Sequence, residues 1–379
     1  MKIFKNSGLL ILGLLFLSCT EDKAMLLDDV DDSIKNYQIP NVPVNTDYTV
    51  GAIYTRFVTN SSVNLVERPS IGVFNGGVNG GVANVPAYGK HVEQAKAAGI
   101  DFFIFNFRCS IKSDLVTYAQ LPNSENTSDK NYINALLTAP NAGDMKFALS
   151  YNFESFRLKK DFSPKFYIGP LNLENAFVND FKSMIPYFNK PNYMKINGKP
   201  VVYINNSYNL FSVDNPALYQ KLRKDMKDLG VELYLIGMQP EWTPPLRYDF
   251  RFVGCVDALT ITNYANINRS FTERKDYFHK YIDLAWSYHK ETLAKYNIEF
   301  VPTISPSYNA VNVNNYDIPK NADWFKANCN IARRASGANK LVLIDSFNNW
   351  YLDTQIESAT SYGDEYLKIV KSEFKVNQQ

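Results

Sequence analysis

Eight short apolar runs, each followed by polar or helix-patterned sequence, constrain this chain more than any other feature. They are YTVGAIYTRF (48–57), DFFIFNF (101–107), KFALSYNF (146–153), KPVVYINN (199–206), ELYLIGMQ (232–239), DALTITNY (257–264), EFVPTISP (299–306) and KLVLIDSF (340–347). Their β-branched and aromatic content suits strands buried in a parallel sheet. Between them, YGKHVEQAKAAGI and ALYQKLRKDMKDLGV have helical periodicity and run out at Gly99 and Gly230, the residue type that closes helices. KDYFHKYIDLAWSYHKETLAKYNI is a longer helical pattern. Eight strand–helix units predict an α/β fold, the (β/α)8 or TIM barrel. A doubly wound sheet is the alternative, but no Gly-rich phosphate loop follows the first run. FNGGVNGGV (74–82) lacks the GxGxxG order and is read as a loop over the barrel mouth.

The N-terminus carries a different signal. In MKIFKNSGLLILGLLFLSC, two lysines precede an apolar run from Leu9 to Leu17, then Ser18 and Cys19. The run is too short to span a bilayer. The pattern predicts a lipoprotein signal peptide over residues 1–19 with lipidation at Cys19. An ordinary secretory signal with an incidental cysteine is the alternative. Residues 20–46, acidic at first and ending in IPNVPVN, are read as a flexible tether, and 47–379 as the barrel. The expected location is the membrane through a lipid anchor, on the outer membrane and cell surface of a Gram-negative bacterium.

A formal net charge of +2 gives no reason to expect nucleic acid as a partner. Cys109, Cys255 and Cys329 are far apart and lack ligand spacing to the three histidines, so they read as buried free thiols. No metal or cofactor is called for, and no Ser-His-Asp pattern is present.

Active sites of such barrels lie at the C-terminal ends of the strands. Those ends offer Tyr54 and Arg56; Asn106 and Arg108; Tyr151, Asn152 and Glu154; Asn205 and Asn206; Gln239, Glu241 and Trp242; Asn263 and Tyr264; and Asn348, Asn349 and Trp350. Amides both donate and accept, as sugar hydroxyls do, and aromatic faces stack on pyranoses. The rim therefore suits an oligo- or polysaccharide. Glycoside hydrolysis ordinarily needs two carboxyl groups, about 5–5.5 Å apart for retention or about 6.5–9.5 Å for inversion. The candidates at the rim are Glu154, Glu241, Asp353 and Glu357, with Asp345 placed lower in the eighth strand. Asp353 and Glu357, four apart, fit a helix start.

GIDFFIFNF, NGKPVVYI and SFNNWYLDTQIESATSYGDEYL resemble glycoside hydrolase family 99 and the related WbsX-like proteins, from the first strand to the C-terminus. The resemblance implies a (β/α)8 barrel, often a lipoprotein, acting on α-mannosides inside the chain. It implies retention of configuration through attack by the substrate's own 2-hydroxyl. The family's last loop typically reads Asn-Glu-Trp-His-Glu-Gly-Thr-Gln-Ile-Glu. Here Asn348, Trp350, Thr354, Gln355, Ile356 and Glu357 match, but the two catalytic glutamates fall on Asn349 and Leu352. Neither can transfer a proton, and replacing such a group forfeits about 10²–10⁴ in rate. A further family glutamate after the third strand matches Glu154. Two readings follow. One is a pseudoenzyme that binds a mannan-like glycan through Tyr54, Tyr151, Asn152, Asn205, Asn206, Trp242, Asn263, Tyr264, Asn348, Asn349, Trp350, Gln355 and Glu357. The other is a divergent hydrolase using Glu154 with Glu241 or Asp353.

Overall fold

The computed structural model describes residues 31–56, 67–72, 84–113, 120–153, 166–167, 173–239, 248, 251–261, 277–308 and 318–376. The N-terminal segment with Cys19, the glycine-rich segment 74–82, and Glu154, Glu241, Trp242, Asn263 and Tyr264 lie outside the described residues. The chain divides into two compact units, Met1–Tyr37 and Gln38–Gln379. In the first, Asp31 caps the short helix Asp32–Asn36 by accepting from the Ser33 N–H at 2.7 Å. The second is the barrel. Its first residues are pinned to it: Val42 N–H donates to Asn330 Oδ1 and Arg333 Nε donates to the Val42 carbonyl, both at 2.9 Å.

The eight predicted runs form the strands. They are β1 (Thr49–Tyr54), β2 (Phe102–Arg108), β3 (Lys146–Asn152), β4 (Lys199–Ile204), β5 (Tyr234–Gln239) and β6 (Ala258–Ile261). β7 comes in two pieces, Glu299–Val301 and Thr303–Ile304, and β8 is Leu341–Ile344. Neighbours in sequence pair in parallel, and β8 returns to β1 with Gly51 opposite Leu343. The seam is at β7: its first piece pairs with β6 and its second with β8. Pro302 separates them because it has no N–H to give a ladder. Its carbonyl still accepts from the Leu343 N–H at 2.9 Å, so the ring closes as a (β/α)8 barrel.

Helices α1 (Val85–Ala97), α2 (Ser124–Leu136), α3 (Glu174–Ser183), α4 (Asn215–Lys227), α5 (Phe278–Ala294), α6 (Ala322–Ala335) and α7 (Glu365–Phe374) connect the strands. Between β5 and β6 the described residues hold turns. Gly99 and Gly230 close α1 and α4 in the left-handed region, at φ +72° and +78°, as their positions predict.

Period two along each strand sorts side chains between two cores. Phe102, Ile104, Ala148, Val201, Tyr203, Ile236, Met238, Leu341 and Leu343 point inward and form one buried cluster. Phe103, Phe105, Phe107, Phe147, Leu149 and Tyr151 belong to the outer core between sheet and helices. At Gly51 a Cβ would lie 2.3 Å from the Phe102 ring, so that ring fills the barrel only because position 51 has no side chain. Cys109, Cys255 and Cys329 are buried, and none forms a disulfide among the described residues. Among the described residues no helix is long and apolar enough to cross a membrane.

Candidate functional site

The inward parity that fills the barrel also builds its mouth. A cavity of about 500 Å³ sits on the last inward layer. Ile53, Ile104, Tyr203 and Met238 give it apolar lining. Thr55, Asn106, Arg108, Ser150, Asn152, Asn205 and Thr303 add polar groups from strand ends, joined by Arg56, Asn206 and Asn349. Four of the five amides, Asn152, Asn205, Asn206 and Asn349, are residues that the sequence places at a glycan site. Asn106, the fifth, is one strand step before Arg108. Asn206 adopts φ +54°, a left-handed turn that asparagine tolerates.

Two carboxyl groups line this cavity among the described residues, and neither is one of those assigned to catalysis from sequence. Asp129, on α2, accepts from Asn106 Nδ2 at 3.2 Å, from the Arg108 backbone N–H at 3.1 Å and from Arg108 Nη1 at 3.0 Å. Burial pushes its carboxyl up to about 6, against the pull of the Arg108 guanidinium. Arg56 donates from Nη1 to Ser128 Oγ at 2.9 Å, and its guanidinium lies 5.2 Å from the Tyr132 ring centre. The second carboxyl is Asp345. It follows Leu341 and Leu343 on the inward face of β8 and extends the strand by donating its N–H to the Ile304 carbonyl at 2.9 Å. Its charge is felt by Tyr203, whose phenol is pushed well above its usual range by burial first and Asp345 second. Asp345 is therefore no lower strand residue; it reaches the cavity.

The loop after β8 separates into a cavity-facing part and a buried part. Asn349 and Leu352 line the cavity. Asn349 Oδ1 accepts from the Leu352 N–H at 3.3 Å, and its own N–H donates to Ser346 Oγ at 2.7 Å, which sets the turn. Asn348, Trp350, Asp353, Gln355 and Glu357 do not line it, and all are buried. Asn348 accepts the Thr55 N–H at 2.7 Å and donates Nδ2 to the Thr55 carbonyl at 3.1 Å, tying the loop to the end of β1. Trp350 Nε1 donates to Glu357 Oε2 at 2.8 Å, and Glu357 Oε1 meets His91 Nε2 at 2.8 Å. Asp353 is held by Lys320 Nζ at 3.3 Å and Gln355 Nε2 at 3.1 Å. Burial lowers the Lys320 ammonium to about 8.

The expected helix start at Asp353 is not formed. Asp353 has φ +54°, and residues 354–356 have no helical structure. The Thr354 carbonyl accepts the Ser346 N–H, and the Ile356 and Glu357 N–H groups turn back to the Phe347 carbonyl. The loop thus folds on its own strand end.

Parity explains the remaining placements. Tyr151 is one residue from Asn152 and faces out; its hydroxyl donates to Asp180 on α3 at 2.8 Å. Tyr54 also faces the outer core and reaches the cavity wall, but its hydroxyl is engaged with His91 Nδ1 at 2.8 Å. Asn106 and Arg108, named at the end of the second strand, do line the cavity, and counting by two from Leu341 and Leu343 would have raised Asp345 to it as well. Asp129 carries no such signal, because it comes from α2 and only the fold brings it beside β2. Among the described residues no cluster of three or more His, Cys, Asp or Glu forms a metal site.

Residues 142–370 match the family described as Glycosyltransferase WbsX. Among solved structures, one described as a glycoside hydrolase-like protein is 38% identical, with a TM-score of 0.75 over 91% of this chain and 99% of that one. A family 99 endo-α-mannosidase from Bacteroides thetaiotaomicron, in complex with bis-tris-propane, is 15% identical, with a TM-score of 0.60 over 86% of this chain and 96% of that one. A second structure of that enzyme gives a TM-score of 0.58. At 15% identity these two share the fold. No curated protein matches the chain.

Proposed function

We propose a function for a chain that belongs to the WbsX family: it takes a glycan into the cavity at its barrel mouth, without the glutamate pair of the family 99-like mechanism. The fold and the family make glycan binding or processing the broad role. One observation carries the narrower reading. Asn349 and Leu352 both line the cavity, so the two positions that the resemblance gives to proton transfer face the ligand space holding an amide and an alkyl chain. The surrounding amides and hydroxyls match the alternating donors and acceptors of a neutral sugar. An α-mannan-like chain is the ligand class that the resemblance supplies.

The lysines, short apolar run and Cys19 of the N-terminus support a lipid-anchored protein on the cell surface. There it would meet polysaccharide directly.

Titration calorimetry with α-mannan oligosaccharides, after a glycan-array screen, tests the binding. Asn205→Ala and Asn349→Ala are each expected to weaken it about tenfold, the effect of one lost hydrogen bond. A folded protein that binds nothing on the array would overturn the reading. Palmitate labelling lost in Cys19→Ala tests the anchor separately.

A further inference from the structure

We propose that Asp129 and Arg108 form a clamp for two adjacent hydroxyls of one sugar ring, so that the cavity selects glycans with a free vicinal diol. This rests on the reading of the cavity as a glycan site and names a subsite within it.

Strand register assembles the patch. Asn106 and Arg108 stand two apart on β2, share one face of the strand and both line the cavity. Their registered neighbours on β3, Ser150 and Asn152, line it too. Asp129 reaches the patch from α2 and accepts from Asn106 Nδ2 at 3.2 Å, from the Arg108 N–H at 3.1 Å and from Arg108 Nη1 at 3.0 Å. The same helix holds Arg108 a second time, since Asn126 Nδ2 donates to the Arg108 carbonyl. The pair is therefore set before any ligand arrives, which lowers the ordering cost of binding.

Hydrogen-bond capacity shows what is left for a ligand. An ionised carboxylate offers about four lone-pair sites. Asp129 Oδ2 uses two, on Asn106 and on the Arg108 N–H, and Oδ1 uses one, on Arg108 Nη1. One site remains, on Oδ1. The Arg108 guanidinium carries a rigid fork of donors. Nη1 serves Asp129, and Nε lies 3.5 Å from Glu125 Oε2. Nη2 has no hydrogen bond among the described residues, and the Arg108 side chain keeps 32% of its surface exposed. A spare acceptor thus sits beside spare donors, on groups 3.0 Å apart. That spacing is close to the one between neighbouring hydroxyl oxygens of a pyranose. One hydroxyl donates to Asp129 Oδ1, and the next accepts from Arg108 Nη2. The amides of the cavity read hydroxyls singly, whereas this pair reads two at once through charge-assisted bonds. A sugar lacking either hydroxyl leaves one charged group facing it without a partner.

The test is calorimetric binding of the full chain to α-1,6-linked mannotriose and to its monodeoxy forms at pH 8. Burial pushes the Asp129 carboxyl up to about 6, so it is ionised under those conditions. Wild type is expected to lose about 10–100-fold in affinity for the deoxy forms at two adjacent carbons of one ring. Asp129→Asn and Arg108→Met are each expected to shrink those two penalties to less than about threefold. Asn205→Ala is expected to weaken binding and leave them in place. A purely structural role of the pair would weaken all the sugars alike. Circular dichroism verifies folding, and the wild-type deoxy series decides the matter even where a variant fails to fold. Penalties at non-adjacent carbons only, or penalties unchanged in both variants, would overturn the clamp and leave the glycan-binding reading standing. No binding of mannotriose by wild type would also overturn the clamp, and no binding across the glycan array would overturn both readings.

Discussion

Glu357 and His91 meet at 2.8 Å with both side chains fully buried, joining the end of the last loop to helix α1. His91 Nδ1 continues to the Tyr54 hydroxyl at 2.8 Å, and Glu357 Oε2 takes the Trp350 indole N–H at 2.8 Å. The network therefore spans β1, α1 and the loop after β8. Of the loop residues that the resemblance singles out, Asn348, Trp350, Gln355 and Glu357 are buried framework, while Asn349 and Leu352 line the cavity.

Removing one end of this network leaves buried polar groups without partners. Glu357→Ala is expected to cost about 3–5 kcal/mol, the usual penalty for breaking a buried pair. Glu357→Gln keeps the shape and an acceptor, and should cost clearly less. Urea unfolding of both variants checks the order; equal midpoints for wild type and Glu357→Ala would refute it.

Asn348 works through geometry rather than charge. It accepts from and donates to the same Thr55 peptide, at 2.7 and 3.1 Å, while Thr55 itself lines the cavity. Asn348→Asp keeps the acceptor and turns the donor into a repelled oxygen facing the Thr55 carbonyl. A loss of about 2–3 kcal/mol is expected, together with weaker glycan binding as Thr55 shifts. A variant as stable as wild type in thermal unfolding would show that the loop is held elsewhere.

Strand period separates residues that look alike in sequence. Tyr151→Phe removes a hydroxyl spent on Asp180 outside the barrel. It is expected to cost about 1–2 kcal/mol of stability and to leave glycan affinity unchanged. Asn205→Ala is expected to do the reverse. Calorimetric binding beside urea melts on the same two proteins gives the comparison, and a Tyr151→Phe protein with impaired binding would contradict it.

The eight strands were legible because buried parallel strands are dense apolar runs, and the helix ends at Gly99 and Gly230 because the left-handed closing turn selects glycine. Asn152, Asn205, Asn206 and Asn349 were legible as strand-end amides. Tyr151 was misplaced for lack of a parity count, since one residue along a strand moves a side chain from cavity to outer core. Trp350 and Glu357 look functional in a list of polar strand-end residues, but their partners lie more than 250 positions away in the case of His91, or across a turn that opens with a left-handed Asp353. Long-range partners of this kind leave no local pattern. Asp129 is the mirror case, a plain helix residue given meaning by its position beside Arg108.

Acid stability is expected to depend on His279. This histidine packs on Trp324 with ring centres 4.1 Å apart, and burial lowers its imidazolium to about 4. An unfolded chain takes up a proton there near pH 6.5. Above about 6.5 both states are neutral, and the side chain adds no pH slope. Between about 6.5 and 4 the unfolded state binds the proton and the native state does not, so acidification favours unfolding. Below about 4 both states are charged and the loss levels off. The full loss is on the order of 3 kcal/mol. Carboxylates titrate in the same range, so the informative quantity is the difference between wild type and His279→Gln. Urea unfolding at pH 7, 5.5 and 4.5 should show wild type losing stability faster than the variant across that window. Parallel losses in the two proteins would mean that His279 is already protonated in the native state.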